Sequence, residues 1–346
     1  MNGLLGFAVI WGLGRRFGWP GRVLLAALAG WWLVLVAATA PGGPLPGLGV
    51  ALGGEFRLWV LAGPVAALVL AYSHGLRLLR ARARPAAVPA PAPQGPFSPA
   101  ETERYARHLL LRDIGGPGQQ RLKAAHVLVV GAGGLGAPVL MYLAAAGVGR
   151  ITVIDPDVVE VSNLQRQIIH AEDRRGQAKV HSATTAMRAL NPFVTVEAVQ
   201  ARLDEANGPA LVASADLVLD GTDNFDTRYL VNRLCVAARV PLIAGAITQW
   251  EGQLSLYDPA RGGPCYDCVF PVRPAPGLVP TCAEAGVAAP LPGVLGAMMA
   301  MEAVKEITGA GQGLRGRLLI HDALYAETRV VRTHARTGCP VCGGAG

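Results

Sequence analysis

Two groups of residues in this chain are spaced for chemistry. The first is a glycine cluster, "LVVGAGGLGAPVL", at residues 128–140. A β-branched run enters it and a helix-forming run leaves it. The spacing Gly131-x-Gly133-x-x-Gly136 suits a turn that lets phosphates approach the backbone at a helix N-terminus. Asp155 follows Gly136 by 19 residues, at the end of the next apolar run. A carboxylate there can accept both ribose hydroxyls of an adenosine. The second group is two C-x-x-C pairs, Cys265/Cys268 and Cys339/Cys342. Four thiolates on two knuckles make a closed tetrahedral zinc site, and closed sites are structural. Such pairs beside a nucleotide turn argue for a reducing compartment and against disulfides.

The glycines do not choose between a dinucleotide and ATP, and Asp155 suits both. The residues after it discriminate. "VVEVSNLQRQIIHAEDRRGQAKV" carries Asn163, Arg166 and Lys179 where a dehydrogenase would soon begin another crossover helix. Two cations aimed at one site suit a triphosphate better than a pyrophosphate already cradled by backbone N–H groups, with arginine offering a planar fork and lysine a point charge. "LDGTDN" ends a later strand with Asp220 and Asp223, and a carboxylate at the carboxyl edge of a sheet, near phosphates, suggests a magnesium ligand. An NAD-dependent oxidoreductase would leave Arg166, Lys179, Asp223 and both cysteine pairs without a role.

These residues need a scaffold. "AHVLVV" (125–130), "RITVIDPD" (150–157), "TVEAVQ" (195–200) and "ADLVLDGTD" (215–223) read as strands, and 137–148, 176–190 and 225–238 as helices. Such alternation predicts an α/β, Rossmann-like, doubly wound and mostly parallel sheet. "GQLSLYDP", "GRLLIHDA" and "ETRVVRT" predict antiparallel strands near the C-terminus.

The first 80 residues are of another kind. Residues 23–40 and 58–73 are apolar runs close to the roughly 20 residues that span a bilayer, and 3–13 is a shorter third candidate. Arg15, Arg16 and Arg22 precede the first span, and Arg77, Arg80, Arg82 and Arg84 follow the second. The positive-inside rule then predicts a transmembrane hairpin in the inner membrane, with both arginine clusters and the globular part in the cytoplasm. "ATA" at 38–40 resembles a signal-peptide cleavage site, but Pro41 and a second apolar span follow it. Residues 81–97, rich in alanine and proline, read as a semi-rigid linker before a domain at 98–346. Net charge is +7, with only three lysines among 31 basic residues. No basic stripe marks the globular part for nucleic acid; the arginines cluster beside the spans instead, where anionic lipids attract them.

The motifs "RYARHLLL", "GAGGLG", "DPDVVEVSNLQRQ", "GQAKV", "DGTDNFDTRYLVN", "EGQ", "CYDC", "TCAEAGV" and "CPVC" occur in one order across residues 104–342. In this the chain resembles the MoeB/ThiF/HesA family of the ubiquitin-activating superfamily, and among its members molybdopterin-synthase adenylyltransferase. The resemblance implies ATP held by Gly131, Gly133, Gly134, Gly136 and Asp155. It puts Asn163, Arg166 and Lys179 around the phosphates and Mg2+ on Asp223. It implies a homodimer in which Arg107 reaches the neighbouring subunit's site. The implied reaction is adenylation of the C-terminal glycine of a ubiquitin-like sulfur carrier ending in Gly-Gly, in molybdopterin or thiamine-type biosynthesis. With no rhodanese-like domain after "CPVC", the sulfurtransferase would be another protein. Cys282, in "TCAEAGV", is either a covalent acceptor of the carrier or a plain loop thiol. Cys235 reads as core. Carrier choice would lie between Val269 and Thr281 and on the last strands. A catalytically inactive membrane-tethered scaffold, and a tRNA-acting relative, are the remaining alternatives.

Overall fold

The computed structural model describes residues 2–43, 46–53, 55–82, 95–274 and 285–343. Contacts divide the chain into residues 1–92 and 93–346, which are described separately. Cys282, most of the proline-rich segment and part of the loop expected to choose the carrier lie outside the described residues.

The first unit holds α1 (Asn2–Arg16), α2 (Gly21–Thr39), α3 (Pro46–Leu52) and α4 (Phe56–Arg82). By length and composition two of its helical stretches can cross a membrane: Gly21–Thr39, with mean hydropathy 1.9, and Phe56–Leu79, with 1.6. Two indoles fix how the helices meet. Trp31 Nε1 donates to the Gly3 carbonyl at 3.0 Å, and Trp32 Nε1 to that of Trp59 at 2.7 Å. Trp31 lies so close to α1 that a Cβ on Gly6 would come within 2.2 Å of its ring. Small residues thus admit a large ring between helices, a packing mode that needs no water-driven burial.

The second unit begins with α5 (Pro99–Arg104), whose start is fixed by a capping box: Glu101 N donates to Ser98 Oγ and Ser98 N to Glu101 Oε2. Next come α6 (Ala106–Leu109), α7 (Gly115–Ala124), β1 (His126–Val130), α8 (Gly136–Ala146), β2 (Arg150–Ile154), α9 (Lys179–Leu190) and β3 (Thr195–Val199). Then follow α10 (Gly208–Ala213), β4 (Leu217–Asp220), α11 (Phe225–Ala238), β5 (Leu242–Thr248), β6 (Glu251–Tyr257), α12 (Tyr266–Val269), α13 (Leu291–Thr308), β7 (Arg317–Asp322) and β8 (Glu327–Arg332).

One eight-stranded sheet runs in the order β3-β2-β1-β4-β5-β6-β7-β8, parallel through β5 and antiparallel from β6 onward. β1 is buried on both faces, as a central parallel strand must be. Its alternate side chains feed two cores. Val127 and Val129 pack with residues of α8, α9 and α13, while Leu128 and Val130 pack with α11 and Tyr266 of α12. β1 pairs with β2 on one side and β4 on the other, so chain order reverses there and a crevice opens beyond the strands' carboxyl ends. The sequence did not announce β5, because Gly245 and two alanines dilute its apolar run. The strand expected at 215–223 stops at Asp220, whose carboxylate turns back onto the N–H and hydroxyl of Thr222 at 2.9 and 2.6 Å.

Candidate functional site

The crevice at the switch point is a cavity of about 550 Å3. Its floor is the turn between β1 and α8. Gly131 adopts φ +95, and a Cβ on Gly136 would lie 1.9 Å from the Gly131 carbonyl, so neither position admits a side chain. Gly131, Gly133 and Gly134 line the cavity, with Gly136 behind them. No side chain caps α8; Ala137 N donates to the Gly133 carbonyl at 2.8 Å, which ties the helix start to the glycine turn.

Asp155 follows β2 and is 6% exposed. Its Oδ2 accepts from Ala132 N at 2.7 Å and its Oδ1 from Asp157 N at 2.8 Å, so it is aimed before any ligand binds. Lys179, the first residue of α9, is almost fully buried, and its Nζ meets Asp157 Oδ2 at 2.8 Å. A buried ammonium needs such a partner. Arg166 is placed by its own turn: it donates Nη2 to Asn163 Oδ1 at 3.1 Å and Nη1 to the Ser162 carbonyl at 3.2 Å. Asn163 is therefore behind Arg166 and does not line the cavity.

Across the crevice, Asp223 lies just ahead of α11, whose N-cap Asn224 accepts from Thr227 N at 2.8 Å. Asp223 lines the cavity, is exposed, and has no hydrogen bond or ion pair among the described residues. A hard carboxylate open to solvent beside two phosphate-seeking cations fits Mg2+. Asp220 does not line the cavity; it is fully buried and shapes the turn. The far end is walled by Ala246, Thr248, Gln253, Ile320 and Tyr266. Burial pushes the Tyr266 hydroxyl up to about 12, so it remains protonated.

The geometry adds residues that motif reading left unassigned. Arg228 lines the cavity at 5% exposure and donates to the Thr222 carbonyl, bracing the turn that carries Asp223. Gln167 also lines it, with a buried Oε1 that has no partner. Asp157 and His170 support the glycine turn and Lys179. All four fall inside the quoted motifs, but their roles depend on burial and partners across the fold. Arg107, on α6, is exposed and does not line its own chain's cavity. Cys235 is buried in α11, and burial pushes its thiol up.

The four remaining thiols meet as their spacing implied. Cys265–Cys268, Cys265–Cys339 and Cys268–Cys342 lie 3.7, 3.6 and 3.4 Å apart, and all four sulfurs fall within 4.8 Å of one another. Sulfurs about 2.3 Å from one tetrahedral metal would be about 3.8 Å apart, so the cluster can hold a metal ion. It joins the segment after β8 to α12. Asn232 of α11 fixes that helix, accepting from Tyr266 N at 2.9 Å and donating to Asp267 Oδ2 at 2.7 Å.

Comparison with known proteins identifies the family. The model of the ThiF family matches residues 105–341. The chain is 48% identical over 246 residues to the SAMP-activating enzyme E1 of Haloferax volcanii, covering 71% of this chain and 90% of that one. It is 49% identical over 247 residues to the sulfur carrier protein adenylyltransferase of Thermus thermophilus, covering 70% and 91%. Among solved structures, MccB of E. coli with ATP superposes with a TM-score of 0.61 at 25% identity, covering 69% of this chain and 74% of that one. The chain belongs to the ThiF family.

Proposed function

We propose that this ThiF-family enzyme is a nucleotidyltransferase that adenylates the C-terminal carboxylate of a ubiquitin-like sulfur-carrier protein, activating it for sulfur transfer. One observation carries this: a single cavity gathers the glycine turn, Asp155, Arg166, Lys179 and Asp223, and continues past them to Gln253 and Tyr266. One end takes the nucleotide, and the other leaves room for an extended peptide tail. A pyrophosphate bridge would not call for two cations and an open carboxylate on the phosphate side.

The chemistry needs no general base, because a chain-terminal carboxylate, with a pKa of about 3.5, is already ionised. It attacks the α-phosphorus, a bond to the acyl oxygen forms, and pyrophosphate leaves. The site must hold two repelling anions in line and stabilise charge on the leaving group. The glycine turn and Asp155 fix the nucleoside, and Arg166 and Lys179 receive the phosphates. Asp223 would hold Mg2+, which supplies further neutralisation of pyrophosphate. In a homodimer, Arg107 of each subunit would add a cation to the other's site. The cysteine cluster would hold Zn2+ as a staple between the C-terminal segment and α12. Sulfur would come from a separate sulfurtransferase.

Residues 1–80 are proposed as a membrane anchor with the enzyme on the cytoplasmic side. Eight arginines and one glutamate lie in residues 1–92, while residues 93–346 hold 23 basic and 23 acidic side chains. The net charge thus comes from arginines in the apolar unit, seven of which flank its two long apolar runs, and arginines flanking a span on one side set its orientation.

The test is ATP–pyrophosphate exchange by the full chain in nanodiscs against small carriers ending in Gly-Gly. Exchange with one carrier, lost in Asp223→Ala, supports the proposal and names the pathway. ATP binding without exchange for any carrier would instead favour a catalytically silent scaffold.

A further inference from the structure

A closed ring of hydrogen bonds underlies the nucleotide end of the cavity. Ala132, inside the glycine turn, donates its N–H to Asp155 Oδ2 at 2.7 Å. Asp155 Oδ1 accepts from Asp157 N at 2.8 Å. Asp157 in turn holds Lys179 twice: its carbonyl accepts from Lys179 N at 2.9 Å and its Oδ2 from Lys179 Nζ at 2.8 Å. Lys179 opens α9, and one turn along that helix Ser182 presents Oγ to His170 Nδ1 at 2.9 Å. His170 Nε2 closes the ring on the Ala132 carbonyl at 2.9 Å.

The partners decide the state of the imidazole. A carbonyl can only accept, so Nε2 carries the proton. Nδ1 then accepts, and the Ser182 hydroxyl donates. Ser182 is fully buried and His170 is 7% exposed. Arg174 and Lys179 are the cations facing the ring, and Asp155 is the facing anion. Arg174 also donates Nη1 to the Ser182 carbonyl at 2.6 Å, which fixes that turn of α9 against the loop. His170 does not itself line the cavity; its backbone N–H donates at 3.1 Å to the carbonyl of Gln167, which does.

We propose that His170 is a positioning residue for nucleotide binding, holding the Ala132 peptide so that the glycine turn, Asp155 and Lys179 keep one fixed geometry. It does so through both ring nitrogens: Nε2 anchors the turn, and Nδ1 ties that anchor to the helix that carries Lys179. Without it, the phosphate turn and the phosphate-binding lysine are joined only on one side, through Asp155 and Asp157. A shift of 1 Å between groups that must grip one ligand is costly. Burial, helped by the two cations, holds His170 below the usual histidine range, so the neutral form persists into mild acid.

This inference rests on the nucleotide assignment above, and the test separates the two. ATP affinity is measured by calorimetry on the full chain in nanodiscs for wild type, His170→Leu, His170→Gln and Ser182→Ala, with melting temperatures alongside. The glutamine amide can place an N–H where Nε2–H stands. Expected: His170→Leu weakens ATP binding at least tenfold, His170→Gln recovers to within threefold of wild type, and Ser182→Ala falls between them. As pH falls through the lowered His170 range, wild-type affinity falls more steeply than that of His170→Gln; the comparison removes the titration of ATP itself, common to both. Leucine binding ATP like wild type would overturn the proposal. So would a glutamine variant that regains the wild-type melting temperature but not the affinity, because the restored N–H would then not be what sets ATP binding. If leucine prevents folding, Ser182→Ala and His170→Gln decide: equal ATP affinity and equal pH profiles in both and in wild type would refute it. Wild type that binds no ATP would instead defeat the nucleotide assignment.

Discussion

The two edges of the parallel sheet each carry a buried histidine tied at both ring nitrogens, and they do different work. At the amino edge, His126 meets the Ser214 carbonyl at 2.6 Å and Thr152 Oγ1 at 2.8 Å. Thr152 donates to Glu197 at 2.9 Å, and Glu197 pairs with Arg150 at 2.7 Å. That network spans β1, β2 and β3 and lines no cavity. At the carboxyl edge, His170 supports a turn with open space above it. Buried oxygens without partners occur here, on Gln167 and Asp220, and not in the amino-edge network. A satisfied network reports stability. An unpartnered buried oxygen lining a cavity, as on Gln167, is free to meet a ligand.

Substitutions sharpen that contrast. The largest effect on activity belongs to Lys179→Ala and Asp223→Ala, each expected to lower pyrophosphate exchange about 10²–10³-fold. Melting temperature should hold within a few degrees for Asp223→Ala, whose side chain is exposed and unpartnered. A collapse of the fold in that variant would show that the carboxyl edge is also structural.

Removal of metal from the thiol cluster comes next. Cys339→Ser, or a strong chelator, should eliminate bound zinc, measured by elemental analysis, and lower the melting temperature by about 10 °C. Exchange assayed well below the new melting temperature should persist. Its complete loss at temperatures where the fold survives would mean that the cluster positions Tyr266 for catalysis.

The two histidines give the most direct contrast between the edges. His126→Leu leaves the Ser214 carbonyl without its imidazole partner and Thr152 with Glu197 alone, at a cost of about 1–3 kcal/mol. In a domain of this size that is about 5 °C of melting temperature, with ATP affinity within twofold of wild type. Equal losses of affinity in His126→Leu and His170→Leu would erase the distinction between the edges.

The smallest effect is one of pH. Hydrogen bonds from Arg150 and Thr152 outweigh burial and hold the Glu197 carboxyl below its usual range. Its contribution is therefore present above about pH 4.3 and is lost as pH falls through the lowered value. Arg150→Gln should flatten the melting-temperature curve slightly between pH 5 and 3, since the pair is half exposed and salt-screened. An unchanged curve would leave the ion pair with no measurable role.

Much of this site was legible in the sequence, for reasons that are local. Gly131, Gly136 and Asp155 are dictated by the turn and strand end on which they sit. The cysteine spacing suits the tetrahedral geometry of the metal proposed there. Lys179 and Asp223 could be chosen because their types suit a triphosphate. By contrast, Asp157, His170 and Ser182 act only through one another. The bond between α9 and the loop ahead of it exists only after folding. Arg228 reads as a surface charge on a helix until its burial is known. β5 was missed because small residues pack well beneath α13 yet give little periodic signal; a Cβ on Gly245 would lie 2.5 Å from the Met299 sulfur.

The most direct measurement is the intact mass of a Gly-Gly carrier after incubation with the full chain, ATP and Mg2+, without a sulfur donor. Adenylation predicts a carrier heavier by one AMP less water, reverting when pyrophosphate is added. A carrier of unchanged mass from every pathway tried, with ATP bound to the enzyme throughout, would contradict it.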